Sequence, residues 1–322
     1  MKKIILITIV LVISMIGCLD NKKEYLDQFK FEKLTKNVYV MHGPLDEPTK
    51  ENKGFMNNPA VIIGSNSVTT IDPGGTQFAG ELVLRELKKI TSKPIEVVLN
   101  THIHGDHWLA NETIAKKYPK VKIYAHPKMI ARAKSGRGEF WTKLMIKLTK
   151  GEATGLKPFY PTNATKNEEI IKVDSESFKI HNNLNEKAHT NTDIMIEHIQ
   201  SKTLFLGDND FVNRMGRFDN TSSMHGTIDI LEYVKTLNLT FFVPGHGKSG
   251  NFENAVAPYL KYLEILKDVV QTGFDNDLES YEIKDDAIKK LEDYKTWVGF
   301  EHNIGVHVIK MYSEIEEKAL EE

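Results

Sequence analysis

Three histidines and an aspartate fall within six consecutive positions of the stretch NTHIHGDHWLAN, residues 100–111. Imidazole and carboxylate are side chains that hold zinc in roughly tetrahedral sets, and a zinc site that does chemistry leaves one position open for water or substrate. In an extended segment alternate side chains face the same way, so His102 and His104 point together into one site. Gly105 lets the chain turn. Asp106 and His107 then follow from the start of the next helix, too far round to join the first pair on one ion, so the spacing implies two adjacent metals. With 12 histidines in 322 residues, a chance H-x-H-x-D-H is on the order of one in a thousand. Three further candidates flank strand-like runs: His189 in AHTNTD just before DIMIEHI, Asp208 at the end of TLFLGD, and His246 in VPGHG. Where adjacent strands run antiparallel, a residue before one and a residue after its neighbour share a sheet edge, so these ligands can converge with the first four. His42, His126, His181, His198, His225, His302 and His307 stand outside any such motif and read as surface or hydrogen-bonded core residues.

The elements that must position these residues follow from hydrophobic periodicity. NVYVMHG and AVIIGSNSVTTID, rich in β-branched residues and bounded by Gly, Pro and Asn, read as consecutive strands closed by the turn DPGG at 72–75. Residues 79–90 have apolar positions at helical spacing, and IEVVLN at 95–100 is a short buried strand that leads straight into the cluster. A helix is expected over 108–117 and a strand at VKIYAHP, while residues 128–165 mix helix and loop character without clear periodicity. Strands return as SFKIHN, DIMIEHI, TLFLGD and TFFVPG, with a helix over 227–237 between the last two, and from Phe252 onward the pattern is helical. Each half is strand-rich first and then runs helix, strand, ligand-bearing loop, which suggests two sheets packed face to face with helices outside.

A hydrophobic fraction of 40% allows a sizeable buried core, and 322 residues suit one large domain with appendages. The net charge of −2 provides no positive field to attract a nucleic-acid backbone, so no nucleic-acid partner is expected. The N-terminus is a separate object. Lys2 and Lys3 precede an apolar run over 4–16 that has signal-peptide length and is too short for a comfortable membrane span. It stops at MIGCLD, where small Gly17 precedes Cys18, the only cysteine. This resembles a bacterial lipoprotein signal, which implies lipid on Cys18, attachment to a membrane through that lipid, and export to the cell envelope facing the periplasm or the exterior. A lone cysteine forms no intrachain disulfide, so an oxidising compartment places no crosslink demand on the fold. The expected organisation is a signal peptide over 1–17, a polar tether over 18–36, the metal-binding domain over 37–250, and a helical extension over 251–322 packed on that domain.

The motifs THIHGDH, HTNTD, LFLGD and PGHG, with TTIDPGG upstream, occur in the order found in the metallo-β-lactamase superfamily, and residues 37–250 resemble that family. The resemblance implies an α/β fold, a four-layer αββα sandwich, here with additional C-terminal helices. Carried over position by position, it implies that His102, His104 and His189 bind a first metal, that Asp106, His107 and His246 bind a second, and that Asp208 bridges them. Asp72 would orient the cluster from behind its ligands. The cofactors implied are two zinc ions, with a hydroxide held between them as nucleophile and one metal polarising the substrate carbonyl. Asp106 and Asp208 are the catalytic candidates, because either could accept or relay the proton of that hydroxide. The expected reaction is cleavage of an ester-like bond, such as a lactone, thioester or β-lactam, in a small molecule.

LFLGD is more similar to the glyoxalase II, lactonase and general-hydrolase branches than to true zinc β-lactamases, which typically lack an aspartate at the bridging position. The whole set looks closest to zinc metallohydrolases found with periplasmic quinoprotein and sulfur-oxidation systems. Nuclease branches normally insert a domain between the late motifs, whereas only 18 residues separate His189 from Asp208. Two alternatives belong to other classes: an oxidoreductase similar to a persulfide dioxygenase, holding a single Fe2+, and a membrane-tethered binding protein with a retained but idle metal site. For the substrate itself, Arg214 and Arg217 in NDFVNRMGRFDN are placed to reach an anionic group, and Phe55 and Met56 in KGFMNN would be apolar contacts of a flap over the pocket.

Overall fold

Strand alternation sorts the apolar residues of this chain onto three faces, in a computed structural model that describes residues 28–182 and 186–321. A seven-stranded sheet runs in the order β1 (Glu32–Lys33), β2 (Val38–Val40), β3 (Ala60–Ile63), β4 (Val68–Ile71), β5 (Ile95–Leu99), β6 (Lys122–Ala125), β7 (Asn163–Ala164). A second, five-stranded sheet runs β12 (Phe241–His246), β11 (Thr203–Phe211), β10 (Ile194–His198), β9 (Glu176–Asn182), β8 (Ile170–Val173). Val38, Val40, Ile62 and Leu99 from the first sheet pack between the layers against Phe178, Ile180, Ile194 and Ile196 from the second. Side chains one residue along point to the opposite face. Val61 and Val98 thus meet Val83 and Leu87 of α1 (Gln77–Lys88) on one outside, and Met195 joins the helical cluster on the other. Each fully buried aliphatic side chain contributes about 1.5–3 kcal/mol, so the two-faced burial explains why these strands read as apolar runs.

The remaining helices are α2 (Gly105–Trp108), α3 (Asn111–Lys117), α4 (Pro127–Arg132), α5 (Gly138–Leu148), α6 (Met224–Thr236), α7 (Phe252–Ala255), α8 (Ala257–Asp275), α9 (Ser280–Lys290) and α10 (Phe300–Glu321). Ile114 of α3 lies with α1 on the first sheet, and α6, α8, α9 and α10 cover the second. The fold is therefore a four-layer α/β/β/α sandwich with additional C-terminal helices. Among the described residues no helix is long and apolar enough to cross a membrane. The expected signal peptide and Cys18 lie outside the described residues.

Three boundaries differ from those expected. The sheet begins at Glu32, inside the expected tether: β1 pairs antiparallel with β2, and Phe31 packs on the apolar clusters beside it. A two-residue strand among charged residues is too short to show periodicity. The helix expected over 108–117 is two helices, because Ala110 N–H donates to Gly74 O (2.9 Å) and ties the chain to the DPGG turn where α3 begins. Residues 128–165 contain α4 and α5, joined by the distorted stretch Ala133–Arg137 in which Gly136 takes φ 105°.

Besides their apolar packing, the C-terminal helices are tied to the sandwich by one carboxylate. Glu314 of α10 accepts hydrogen bonds from Met224 N (2.9 Å), His225 N (3.0 Å), Ser223 Oγ (3.0 Å) and His225 Nδ1 (3.0 Å), so an anion sits on the N-terminus of α6. Burial alone would raise its pKa, but the bonds from His225 and Met224, with Lys310 nearby, override it and hold the carboxyl at about 2. Because the folded pKa is depressed, this stabilisation is complete above the ordinary pKa of 4.5 and drains away as the pH falls toward 2. Glu314→Gln is expected to lower stability by about 1–3 kcal/mol at neutral pH. Denaturant unfolding of both proteins should show the gap narrowing as the pH drops below about 4.5. A gap independent of pH would contradict the charge argument.

Candidate metal centre

Strand direction brings the ligands to one end of the sandwich. β4 and β5 are parallel, so Asp72, just past β4, and residues 100–104, just past β5, emerge side by side, with Asp72 N–H donating to Leu99 O at 3.1 Å. β11 and β12 are also parallel, which places Asp208 and His246 together at their C-terminal ends. β10 runs antiparallel to β11, so His189, in the loop before β10, returns to the same edge. The antiparallel expectation therefore holds for His189 with Asp208, while His246 arrives from a parallel neighbour. The HTNTD loop is tied to the THIH loop by Ile194 N–H on Thr101 O (2.8 Å) and Ile103 N–H on Thr192 Oγ1 (3.2 Å). Gly207 takes φ +56°, and a Cβ there would lie 2.7 Å from Thr101 Oγ1, so the close approach of β11 to the THIH loop requires glycine.

The seven ligand side chains form two sets that share Asp208. In the first, His104 Nδ1 and His189 Nε2 are 2.9 Å apart. Asp208 Oδ2 stands 3.4 Å from His189 Nε2 and 3.7 Å from His102 Nε2. In the second, Asp208 Oδ1 stands 3.0 Å from His107 Nε2 and 3.4 Å from His246 Nε2, and Asp106 Oδ2 lies 3.4 and 3.2 Å from the same two nitrogens. Within each set the donor atoms all lie within 4.8 Å of one another.

A metal fits this arrangement. An ion with bonds of about 2.0–2.1 Å spaces its tetrahedral donors about 3.3 Å apart, close to the spacings here. His102 Nε2, His107 Nε2 and Asp208 Oδ1 are buried without a hydrogen-bond partner, although His107 Nε2 and Asp208 Oδ1 approach within 3.0 Å. Buried polar atoms are rarely left so. Asp72, Asp106 and Asp208 are all buried, and among the described residues none is ion-paired to a lysine or arginine. The uncompensated donors converge on two points, with one oxygen of Asp208 directed at each.

The atoms behind the ligands set their tautomers. Asp72 Oδ1 accepts from Thr101 N (2.9 Å), and its Oδ2 accepts from Thr101 Oγ1 (2.5 Å) and His107 Nδ1 (2.8 Å). Since the Thr101 hydroxyl spends its one proton on Asp72, it can only accept from His102 Nδ1, at 3.0 Å. His246 Nδ1 donates to Met56 O at 3.0 Å. In all three imidazoles the proton is thereby fixed on Nδ1, and the Nε2 lone pair faces the centre. Burial drives His102 well below the usual imidazole range, with His107 adding to the effect, and drives His104 to about 3, with His189 adding. His107 and His246 move up: burial is the largest single effect and opposes their charge, but Asp208 and Asp106 together, with Asp72 also acting on His107, outweigh it. Asp106 and Asp208 stay well below the carboxylate range against burial, chiefly through His107. A cation entering the second set would displace those imidazole protons.

A cavity of about 280 Å³ opens onto the two sets, with His104, Asp106, His189, Asp208 and His246 at its floor. Arg214 and Arg217 line it, and both are held by Glu47. Arg214 donates to Leu45 O and, at 2.7 Å, to Glu47 Oε1, and Arg217 lies 3.1 Å from Glu47 Oε2. Met56 lines the cavity, whereas Phe55 does not: it is buried among Met41, Ala79 and Leu82. KGFMNN is a brace and not a flap, because Asn57 Nδ2 donates to Asp72 O (2.8 Å) and Asn58 Nδ2 to Pro244 O (2.9 Å) and Gly247 O (2.6 Å). Six of the seven histidines outside the motifs have hydrogen-bond partners of their own, His198 with Glu176 (2.7 Å) and His307 with Tyr262 (2.7 Å) among them, and His302 is exposed.

One wall of the cavity escaped the sequence reading. Arg137, Phe140, Trp141, Leu144, Met145 and Leu148 come from α5 and the turn before it, and the Trp141 ring lies 4.9 Å from that of His104. Apolar residues at 141, 144, 145 and 148 follow helical spacing, but the SGRG break hides where that helix starts.

Comparison with known proteins bears on the site. Residues 53–246 match the family model described as the metallo-beta-lactamase superfamily. A Methanocaldococcus jannaschii protein named probable metallo-hydrolase is 27% identical over 204 residues, 62% of this chain and 91% of that protein. A metallo-beta-lactamase from Pontibacter korlensis has the same fold at a TM-score of 0.57 and 14% identity, covering 73% of this chain and 99% of its own. A stereoselective inverting sec-alkylsulfatase from Pseudomonas sp. reaches a TM-score of 0.68 at 17% identity, covering 89% of this chain and 50% of its own.

Proposed function

Because this chain belongs to the metallo-β-lactamase superfamily, we propose that it is a binuclear zinc hydrolase that cleaves an ester-like bond, such as a lactone, thioester or β-lactam, in a small molecule. The observation that carries this reading is Asp208, whose two oxygens each face a separate set of three further ligands. Two zinc ions held there would bring the pKa of water bound between them down toward neutrality and polarise the substrate carbonyl. The chain's own residues do the rest. Asp208 sets the separation of the two sets, and Asp106, beside His107 and His246 on the cavity floor, is placed to accept the proton released when water attacks. Met56, Trp141, Phe211 and Phe218 surround that floor with apolar surface, which strengthens each electrostatic contact inside it. A relative named probable metallo-hydrolase supports hydrolysis, and the complete second set favours two metals over a single iron, which would leave Asp106, His107 and His246 without employment.

The reading is tested by chelation. Stripping the protein of metal should abolish turnover across a panel of lactones, thioesters and a chromogenic β-lactam, and added zinc should restore it. A zinc-loaded protein silent on the whole panel would sink the hydrolase and favour the idle binding protein. We also propose that lipid on Cys18 attaches the protein to the cell envelope. Cys18→Ser should then move it from the membrane to the soluble fraction and end labelling by radioactive palmitate, whereas an unchanged distribution would contradict the anchor.

A further inference from the structure

Two of the three arginines lining the cavity share the carboxylate of Glu47 as ion-pair partner, and the third has none. Among the described residues no carboxylate lies within the 4.0 Å of an ion pair to Arg137. Its guanidinium carbon sits 4.2 Å from the ring centre of Phe140 and 5.4 Å from that of Trp141. Its Nε is buried and has no acceptor. A guanidinium placed over aromatic rings without an ion-pair partner has its terminal nitrogens left to offer, and a pair of such nitrogens grips a carboxylate or sulfonate with two parallel hydrogen bonds. Asp219 also lines the mouth and its charge acts on Arg137, but it stands beyond ion-pair distance and its Oδ1 is taken by Thr221 N and Oγ1, each at 2.7 Å.

Position and shape add to the argument. Trp141 touches Arg137 with one part of its ring system and stands 4.9 Å from His104, so one indole separates the guanidinium from the first ligand set. The rest of the α5 wall is apolar, and Phe140 and Leu148 carry it out to the surface, 46% and 36% exposed. Met215 and Phe218 line the same cavity. At about 280 Å³ the space suits a small ligand and not a long chain.

We propose that Arg137 is the specificity-determining residue of this site, and that the substrate is a small anion with a short apolar body: its anionic group lies on Arg137, its body lies along Trp141 and α5, and its scissile bond reaches the metal centre. This rests on the hydrolase reading for the last clause only, and the two can fail separately.

Binding is read without turnover by titrating the chelator-treated and the metal-loaded full chain with sodium hexanoate, followed by tryptophan fluorescence. Hexan-1-ol and sodium acetate are the controls for chain without charge and charge without chain. Hexanoate should bind about 10-fold tighter than either control in both forms, and Arg137→Gln should remove that preference while leaving hexan-1-ol unchanged. Arg137→Lys, which keeps the charge but not the fork, should recover part of it. Turnover is read with the mono-4-nitrophenyl ester of adipic acid against 4-nitrophenyl hexanoate. Arg137→Gln should lower kcat/KM for the anionic ester about 10- to 100-fold, mainly through KM, and leave the neutral ester within about 3-fold. A hexanoate preference that survives Arg137→Gln, or that exists only with metal present, would overturn the inference. If the preference follows Arg137 but neither ester is cleaved, the hydrolase reading falls and the anion site stands.

Discussion

Asp208→Asn should leave one metal per chain where two are expected for the parent, and lower kcat/KM by about 10³-fold. An amide keeps one oxygen, and its nitrogen carries no lone pair to offer a cation. Only one set can then retain its fourth donor, because each now uses its own oxygen of Asp208. The substitution also removes a buried negative charge from beside four imidazoles. Metal analysis and steady-state kinetics on the same preparation check both halves of the expectation. His198→Ala is the control: His198 is equally buried but is bonded to Glu176 and Ser201, so its loss should cost stability and leave metal content and rate unchanged. Two metals retained in Asp208→Asn would rule out the bridge.

Asp72→Asn should weaken zinc affinity by about 10- to 100-fold without touching a ligand. Asp72 sits at φ 46°, a conformation asparagine also tolerates, so the backbone has no reason to move. What changes is the proton map. Thr101 Oγ1 and His107 Nδ1 both donate to Oδ2, so an amide oxygen in that place keeps both bonds while the amide nitrogen faces the Thr101 N–H, and the flipped amide turns its own N–H groups on both donors. One orientation loses the bond that holds the Thr101 backbone, and the other frees the tautomers of both His102 and His107. Competition against a chromophoric chelator measures the affinity, and most of the lost activity should return at high zinc. Activity that stays low at saturating zinc would mean that Asp72 acts on the reaction itself.

The clustering of the candidate ligands was legible in the sequence because their chemistry is dense and local. Four lie within six residues, and the other three each sit at the end of a run apolar enough to be a strand. The four layers were legible for a similar reason, since strands buried on both faces and amphipathic helices each leave a period. What stayed hidden depends on partners far away in sequence. Asn57 and Asn58 look like a turn, yet they tie Asp72 to the PGHG loop. Arg214 and Arg217 look free until Glu47 arrives from more than 160 residues upstream. Arg137 had no visible role, because the kink at Gly136 that sets it beside Trp141 reads only as a loop. Phe31 and β1 were lost in a charged segment whose two strand residues carry no pattern.

The central claim is that seven side chains from four stretches of the chain hold a pair of cations. Elemental analysis of the purified protein tests it most directly. This account predicts close to two equivalents of zinc per chain, with neither bound once His102, His107 and Asp208 are replaced together. A single equivalent of iron, accompanied by oxygen consumption during turnover, would contradict it.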